Sequence, residues 1–417
     1  MSDNTIIISC HDCDLLQQIS HMPEDGSAEC PRCGVILRKR QRVQPAKVIE
    51  HTLALVITAI VLFCIANAFP IIEVQADGHN MQATLFGCVQ YLLSSEMLFL
   101  AAVVFFTTIG APLIQLLGLL YVLLPINYDR VPPYAAQIYR MVRVVGSWSM
   151  LEVLMLGILV SVVKLSGMAM VIPGVSLWTF AVLILVFAAI ISDLDKELVW
   201  EIISPISSDK IIQNIKDGSQ LTNCHNCHLL CDVTGQHDSE CPRCGSAVHL
   251  RKPDSLTRST ALLMGAIIMY IPANLMPVMV TNSMGNSEGD TIMSGVIYLA
   301  TGGDIPLAMI IFIASIVVPS MKLIILLILL ITVHFKIQWR PKDRTRLYRL
   351  TEIVGKWSMV DIFVVTLMAA LVQIQGLMVI DVGFGAFAFC SVVVLTILAA
   401  MSFDPRLIWD NMEKVNE

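Results

Sequence analysis

The amino-acid sequence repeats itself, and no other feature constrains the fold as strongly. Matching residues recur 207 positions apart early in the repeat: Asn67 and Asn274, Pro70 and Pro277, Pro112 and Pro319. Later the offset is 209: Gly146 and Gly355, Trp148 and Trp357, Asp195 and Asp404. Each copy holds two C-x2-C motifs followed by four long apolar segments. The sequence therefore predicts a tandem duplication of one module.

The apolar segments are long enough to cross a membrane, since roughly 20 residues in a helix span the hydrocarbon of a bilayer. They lie at 52–70, 97–124, 148–165, 175–191, 260–277, 306–333, 357–380 and 382–401. With 56% hydrophobic residues, 14% charged residues and a mean hydropathy of +0.74, the chain is too apolar for a soluble globule. We predict an all-α polytopic membrane protein with eight spans.

Positive charge is distributed unevenly between the connections. Residues 71–96 and 278–304 contain no Lys or Arg, whereas the opposite connections are basic, as cytoplasmic loops are. The first residues lack the basic start and continuous apolar core of a secretory signal. We therefore expect both termini in the cytoplasm. An even number of spans in each half predicts a parallel repeat, and turn formers among β-prone residues at 278–304 predict a short hairpin.

Twelve cysteines are present, and eight of them form four C-x2-C pairs. Two such pairs can present four thiolates tetrahedrally to Zn²⁺, at about 2.3 Å per bond. The predicted ligand sets are Cys10, Cys13, Cys30 and Cys33, and Cys224, Cys227, Cys241 and Cys244. Because four protein ligands leave no position for a substrate, we interpret each set as a structural zinc ribbon, with two zinc ions in all.

The spacers between the paired motifs differ and leave alternatives open. The first spacer has sixteen residues and the second has thirteen, which is short for a ribbon, so Cys231, His225 and His228 are possible substitute ligands. Sequence does not separate zinc from iron on four thiolates. The same motifs could also work as redox dithiols.

Together these patterns divide the chain into four domains. Two are membrane modules of four helices, and each is preceded by a small cytoplasmic zinc ribbon. The predicted boundaries are 1–47 for the first ribbon, 48–202 for the first membrane module, 203–255 for the second ribbon and 256–417 for the second membrane module.

A lysine stands where hydrocarbon is expected, in the segment IFIASIVVPSMKL. Lysine near a bilayer centre costs about 3 kcal/mol on insertion scales, so it usually faces a partner or a substrate path. We predict that Lys322 pairs with Asp361. The predicted polar transport site comprises Ser315, Pro319, Lys322, Ser358, Asp361 and Thr366. It could respond to protons or bind a lipid headgroup, or the ion pair could only fix the register of two helices.

The first half lacks this pair. Gln115 replaces Lys322, while Glu152 keeps an acid in the place of Asp361. Pro112 and Pro319 each remove a backbone hydrogen bond from the middle of a span, which bends the helix and exposes carbonyl groups. The shared proline therefore belongs to the architecture, and we expect the second half to carry the functional site.

Several chemistries are not supported. The sequence has no G-x4-G-K-[ST] motif for ATP hydrolysis and no histidine in the middle of a predicted span, as a membrane haem would require. No Ser/His/Asp set stands out in the outward connections. We expect neither an enzyme nor a nucleic-acid partner.

The chain resembles the paraquat-inducible protein A family of bacterial inner-membrane proteins. The resemblance rests on the two C-P-R-C-G motifs, the A-N-x-x-P helix ends at Asn67 and Asn274, the G-x-W-S-M repeats and the segment from Asp404 to Trp409. It implies a multi-pass inner-membrane subunit that moves phospholipid or another envelope lipid. It also implies a periplasm-spanning partner with mammalian-cell-entry domains, and a polar path onto which Ser315, Lys322, Asp361 and Thr366 map.

Two other functions fit the same residues. A membrane redox or stress-response protein would cycle the C-x2-C pairs as dithiols. A purely structural anchor would hold the periplasmic partner without a transport site.

Overall fold

The computed structural model describes residues 6–19, 27–39, 45–76, 79–166, 170–194, 196–206, 220–233, 239–283, 286–303, 305–371, 373–374 and 378–413. The α-helices are Pro45–Ala68, Leu85–Ser94, Leu98–Phe105, Ala111–Ile126, Ala135–Gly146, Leu151–Ser166, Val175–Asp193, Lys196–Ile203, Ser255–Leu275, Ile292–Thr301, Ile305–Phe312, Val318–His334, Pro341–Gly355, Val360–Leu371, Phe384–Ser402 and Leu407–Glu413.

Short strands connect these helices on the two ends of the molecule. They are Ile6–Ser9, Leu16–Ile19, Ser27–Glu29, Ile36–Lys39, Ile72–Ala76, His79–Ala83, Met170–Pro173, Leu221–Asn223, Leu230–Asp232, Ser239–Glu240, Ala247–Val248, Met279–Ser283, Asn286–Asp290, Gln373–Ile374 and Met378–Val382.

Among the described residues, eight helices are long and apolar enough to cross a membrane. We number them as spans 1 to 8: Ala46–Ala68, Leu98–Ile126, Ala135–Val163, Val175–Asp193, Ser255–Leu275, Ala308–His334, Pro341–Leu371 and Phe384–Ser402. Their number is the one predicted from the sequence. The seventh prediction, 357–380, is wrong at its end, because the helix stops at Leu371 and residues 378–382 form a strand.

Spans 2 and 6 are interrupted at corresponding places by one turn of π-helix, at Phe106–Gly110 and Ile313–Val317. Each π-turn precedes a proline, Pro112 or Pro319, in the first turn of the next helix. There the missing N–H needs no partner within the helix. Each span therefore continues through the π-turn and the proline.

Spans 3 and 7 are interrupted as well, at the G-x-W-S-M motif. Ser147 to Met150 form a turn in span 3, and Lys356–Met359 form a 3₁₀-helix in span 7. The amide of Met150 donates to the carbonyl of Thr107 in the π-turn of span 2, at 3.4 Å. The two interruptions thus lie side by side in the first half, and the π-turn of span 6 packs against Lys356–Met359 in the second.

Small sheets cover one end of the bundle, which we call the sheet side. Ile72–Ala76 pairs with His79–Ala83 and Met170–Pro173. Likewise, Met279–Ser283 pairs with Asn286–Asp290 and Met378–Val382. The hairpin predicted within 278–304 is confirmed for its first part, and Ile292–Thr301 is a helix.

The two membrane halves meet along spans 3 and 7. Gly157 permits a close approach there, because a Cβ atom at this position would lie 2.8 Å from Cβ of Phe363. On the sheet side, the Tyr91 hydroxyl donates to the carbonyl of Ile380 and to Oδ1 of Asp381, both at 3.1 Å. The contact between the two halves therefore includes hydrogen bonds at its edge on the sheet side.

The cysteine-rich segments lie at the opposite end. We call residues 6–39 the first cysteine module and residues 220–248 the second. The first module contacts the second membrane half: Arg349 of span 7 donates to Oδ2 of Asp12 at 2.6 Å and to Sγ of Cys33 at 3.3 Å. The Arg32 guanidinium also lies 4.7 Å from the centre of the Trp409 ring, within the range of a cation–π interaction.

The second cysteine module contacts the first membrane half in the corresponding way. Arg140 of span 3 donates to the carbonyl of Gly245 at 3.1 Å, and Arg243 donates to the carbonyl of Ile206. Each module therefore rests on the membrane half that it does not precede. We call this arrangement the module exchange.

The two modules and the C-terminal segment form one body. Arg406, which is 1% exposed, donates to the carbonyl of His11 in the first module and to Oγ1 of Thr222 in the second. Arg251 bonds Asp14 of the first module and Asp410 near the end of the chain. The His11 and His228 rings lie 5.7 Å apart.

Candidate functional site

Each cysteine motif folds as a tight knuckle. In all four, the first cysteine's amide donates to a carbonyl five residues later, and its carbonyl accepts from the amide four residues later. The fifth residue of each knuckle has a left-handed backbone: these residues are Asp14, Gly34, His228 and Gly245, with φ between 55° and 73°. The knuckles present both thiols of each motif to one point.

The four thiols of each module converge as the spacing predicts. The eight cysteines are buried, and the Sγ atoms within each set lie within 4.8 Å of one another. The Cys10–Cys33 and Cys13–Cys30 pairs are 3.5 Å apart, and Cys227–Cys241 is 3.4 Å. A tetrahedral metal with bonds of about 2.3 Å needs sulfur atoms about 3.8 Å apart, so both sets fit a metal ion.

The substitute ligands proposed for the second module do not enter its set of four. Cys231 lies beside it, with its Sγ 4.0 Å from that of Cys241. The Ser246 hydroxyl is 3.1 Å from Sγ of Cys224 and 3.0 Å from that of Cys244. The short spacer therefore still brings four cysteines together.

Crowding of the thiols separates their pKa values. Hydrogen bonds from Cys10 and Cys13 hold the pKa of Cys33 below its usual range, and those from Cys227, Cys241 and Cys244 do the same for Cys224. The pKa of Cys13 and of Cys227 is raised, chiefly by the same hydrogen bonds. In each module one thiol thus loses its proton more readily than its neighbours, which donate hydrogen bonds to it.

Lys322 is buried inside the second membrane half. Its side chain is 3% exposed, and within the described part of the chain its Nζ atom has no hydrogen-bond partner. The ammonium group lies against Gly355 of span 7, where a Cβ atom would be 3.0 Å from Nζ. A side chain at Gly355 would therefore press on the lysine.

The other predicted polar residues lie on the elements that surround this lysine. Ser315 and Thr366 are buried, and their hydroxyls donate to carbonyls of their own helices, Ile311 at 2.6 Å and Ile362 at 2.7 Å. Ser358 is buried, with a hydroxyl that has no hydrogen-bond partner among the described residues. Asp361 is half-buried in the first turn of Val360–Leu371. Its pairing with Lys322 stays a prediction.

The sequence reasoning missed one polar contact in this region. The Tyr270 hydroxyl of span 5 lies 2.6 Å from Oγ of Ser320 in span 6. The sequence does contain a signal for this contact. At the offset of 207 the first half has the apolar residues Phe63 and Leu113 at these two positions. Tyr270 and Ser320 therefore join Lys322 as polar residues that only the second half carries.

The corresponding place in the first half is built in the same way. Gln115, which is 9% exposed, lies over Gly146, and a Cβ atom there would be 3.5 Å from the side-chain amide. The Oε1 atom of Gln115 has no hydrogen-bond partner in the described residues. Both halves thus bury a polar side chain over the glycine of G-x-W-S-M, but only in the second half is that side chain a lysine.

Comparison with known proteins gives a consistent result. The family model described as Paraquat-inducible protein A matches residues 49–204 and 256–413. Intermembrane transport protein PqiA of Escherichia coli (strain K12) is 32% identical over 412 residues, 97% of this chain and 95% of the relative. Lipophilic envelope-spanning tunnel protein A of the same strain is 31% identical over 409 residues, 98% of this chain and 92% of the relative.

A more distant relative has the same extent. Probable intermembrane transport protein of Haemophilus influenzae is 27% identical over 409 residues, 97% of this chain and 95% of the relative. No solved structure matches the chain.

Proposed function

The chain belongs to the paraquat-inducible protein A family, and from this premise we propose that it is an inner-membrane subunit of an intermembrane lipid transport system. Relatives that cover almost the whole chain are named as transport proteins, and eight described helices are suited to crossing a membrane. The observation that carries the proposal is the buried Lys322, because a cation inside a membrane bundle is expensive and usually functional.

The proposed orientation places both cysteine modules and both termini in the cytoplasm. The modules contact the basic residues Arg140 and Arg349, and the connections on the sheet side at 71–96 and 278–304 lack Lys and Arg. Such an asymmetry favours a cytoplasmic location for the basic side. The sheet side would then face the periplasm, and the two four-span halves would be a parallel repeat with the four domain boundaries given above.

The proposed transport site comprises Ser315, Pro319, Lys322, Ser358, Asp361 and Thr366. Lys322 and Asp361 would form the pair that binds a lipid headgroup or responds to protons. Support comes from the burial of Lys322 over Gly355 and from the packing of the π-turn with Ser315 against the segment that holds Ser358. Tyr270 and Ser320 extend the polar surface of spans 5 and 6.

The proposed partner is a periplasm-spanning protein with mammalian-cell-entry domains, and the proposed cargo is a phospholipid or another envelope lipid. The sheet side offers the surface that such a partner would meet. Its two sheets connect spans within each half, so a partner bound there could sense both halves.

We further propose that each cysteine module is a zinc ribbon. Four buried thiols at tetrahedral spacing support a structural metal, which would hold the two knuckles of each module together. Metal analysis of the purified protein tests this assignment. Two zinc ions per chain are expected, whereas two iron ions, or metal-free protein with reversible disulfides, would contradict it.

The transport proposal is tested by three variants in cells that lack the native protein. Lys322→Ala and Asp361→Asn should abolish complementation of an envelope-barrier defect while expression and zinc content persist. Asp129→Asn, which removes an exposed carboxylate outside both polar sites, is the control and should complement. Normal barrier function in both second-half variants would refute the site.

A further inference from the structure

The first half contains a cavity at the place that corresponds to Lys322. The cavity has a volume of about 60 Å³, and its polar lining is Gln115, Gly146, Ser149 and Glu152. At the offsets of the repeat these residues match Lys322, Gly355, Ser358 and Asp361. The cavity is therefore the first-half form of the polar site proposed above.

The donor atoms around this cavity are oxygens, and one of them is buried without a partner. Gln115 is more than nine-tenths buried, and its Oε1 atom accepts no hydrogen bond from the described residues. A buried acceptor left unsatisfied destabilises the folded protein. Ser149 adds a hydroxyl and Glu152 a carboxylate. Amide, hydroxyl and carboxylate oxygens are the ligands that hard cations prefer.

The charge balance of the cavity points the same way. Among the described residues that line it, Glu152 alone carries a charge. In the second half the corresponding acid is Asp361, and the ammonium group of Lys322 lies against the glycine of the motif. In the first half the shorter Gln115 leaves space over that glycine instead. The cavity of the first half thus lies at the position that the Lys322 ammonium group occupies in the second half.

The size and the remaining walls limit what can enter. A volume of about 60 Å³ exceeds the roughly 15 Å³ that one water needs, so a small cation with one or two waters fits. Ile184 and Phe187 of span 4 close the other side with apolar surface. An ammonium group at the end of an apolar molecule would place its carbon atoms there, and an aromatic face attracts such a cation.

We propose that the first-half cavity binds a small monovalent cation, which takes the position of the lysine ammonium found in the second half. Gln115, Ser149 and Glu152 supply the oxygen ligands. The cation can be the ethanolamine ammonium group of a phospholipid or a free alkali-metal ion, since both present a single positive charge to oxygen ligands. The site is separate from the transport site, so either assignment can fail without the other.

The test measures thermal unfolding of the full-length protein in detergent at constant ionic strength. One series exchanges N-methylglucamine chloride for sodium chloride without added lipid. A second series, in N-methylglucamine chloride, adds phosphatidylethanolamine or phosphatidylglycerol with the same acyl chains. We expect a higher unfolding temperature in one series, with sodium if the ion is free and with phosphatidylethanolamine alone if a headgroup supplies it.

Variants assign the effect to the cavity. Glu152→Gln should weaken the response about tenfold or more in concentration, because it removes a charged ligand. Gln115→Lys supplies the ammonium group within the chain and should abolish the response. Asp129→Asn, which removes an exposed carboxylate of the same half, should respond like the native protein.

A single cooperative unfolding transition in the absence of added cation reports whether each variant is folded. If Gln115→Lys does not fold, the comparison of Glu152→Gln with Asp129→Asn decides alone. The proposal is overturned if neither series raises the unfolding temperature, or if Glu152→Gln responds as strongly as the native protein.

Discussion

The two membrane halves place the same backbone features at the same positions and fill them with different side chains. A π-turn, a proline and a broken span recur in both. The first half buries the neutral Gln115 beside a cavity, whereas the second buries the charged Lys322 and adds the Tyr270–Ser320 contact. The backbone therefore does not require the charge, which makes the lysine the informative difference.

The sheet side shows a second difference between the halves. Helix Leu85–Ser94 buries one face against the second half, while in the corresponding helix, Ile292–Thr301, no described residue is buried. Tyr91 is bonded at the contact between halves, and Tyr298 is 79% exposed. The halves thus share an architecture but do not pack on each other symmetrically.

The largest expected effect concerns the module exchange. If the first module holds zinc as proposed, Cys33→Ser should release that ion, since structural zinc contributes about 10 to 16 kcal/mol of apparent binding free energy. Because this module rests on Arg349 and Trp409, amide hydrogen exchange should rise in 341–355 and 407–413. Cys244→Ser, the matched variant of the second module, should raise exchange in 135–146 instead.

Hydrogen exchange that increased in the membrane half following the altered module would contradict the exchanged arrangement. Equal increases in both halves would do so as well.

The next largest effect is the coupling between Lys322 and Asp361. If they pair as predicted, Lys322→Met leaves the half-buried Asp361 without its cation, and the double variant with Asp361→Asn recovers part of the loss. A double-mutant cycle on the free energy of unfolding should give a coupling of about 2 kcal/mol. The matched pair in the first half, Gln115→Met with Glu152→Gln, lacks the lysine, so without added cation its coupling should be weaker than that of the second-half pair. If the effects of Lys322→Met and Asp361→Asn on the free energy of unfolding were additive, the two residues would not form an ion pair.

A smaller difference is expected between alanine substitutions at the two glycines of the G-x-W-S-M motifs. A Cβ atom at Gly355 would meet Nζ of Lys322 at 3.0 Å, whereas at Gly146 the nearest atoms, those of Gln115, are 3.5 Å away. Gly355→Ala should therefore destabilise the protein by about 1 to 2 kcal/mol and reduce barrier function. Gly146→Ala should leave both within error, as thermal unfolding and complementation can show. An equal loss in both variants would mean that the motif needs glycine for its backbone alone.

The smallest effect is expected at the rim between the halves. Tyr91→Phe removes two hydrogen bonds to the strand at 380–381 and should cost about 1 kcal/mol of unfolding free energy. Tyr298→Phe removes an exposed hydroxyl and should change nothing measurable by thermal unfolding. A loss in the second variant that matched the first would show that the exposed helix is bonded in solution.

Much of the fold could be predicted because it depends on local patterns. The spans follow from apolar length, and the ligand sets follow from C-x2-C spacing. The end of span 7 was misplaced because an apolar run alone does not distinguish a helix from a strand. Residues 378–382 are strand because Met279–Ser283, nearly 100 residues earlier, pairs with them.

The features that escaped prediction are those that join distant residues. Asp12 and Arg349 are separated by 337 positions, and no periodicity reports such a pairing. The first-half cavity was missed for a different reason, because Gln115 was seen only as the loss of a lysine. Comparing the halves residue by residue could have indicated Tyr270 and Ser320, since both replace apolar residues of the first half.

The module exchange also has a consequence for biosynthesis. The first module is complete once Lys39 has left the ribosome, but Arg349, on which it rests, follows about 300 residues later. At roughly 5 to 20 residues per second, this interval is on the order of 15 to 60 s. During translation the first module must therefore remain folded, or at least soluble, before the surface around Arg349 exists for it to contact. The first module can dock only after span 7 has been synthesised. The docked module is therefore found only in chains whose two membrane halves have both been made.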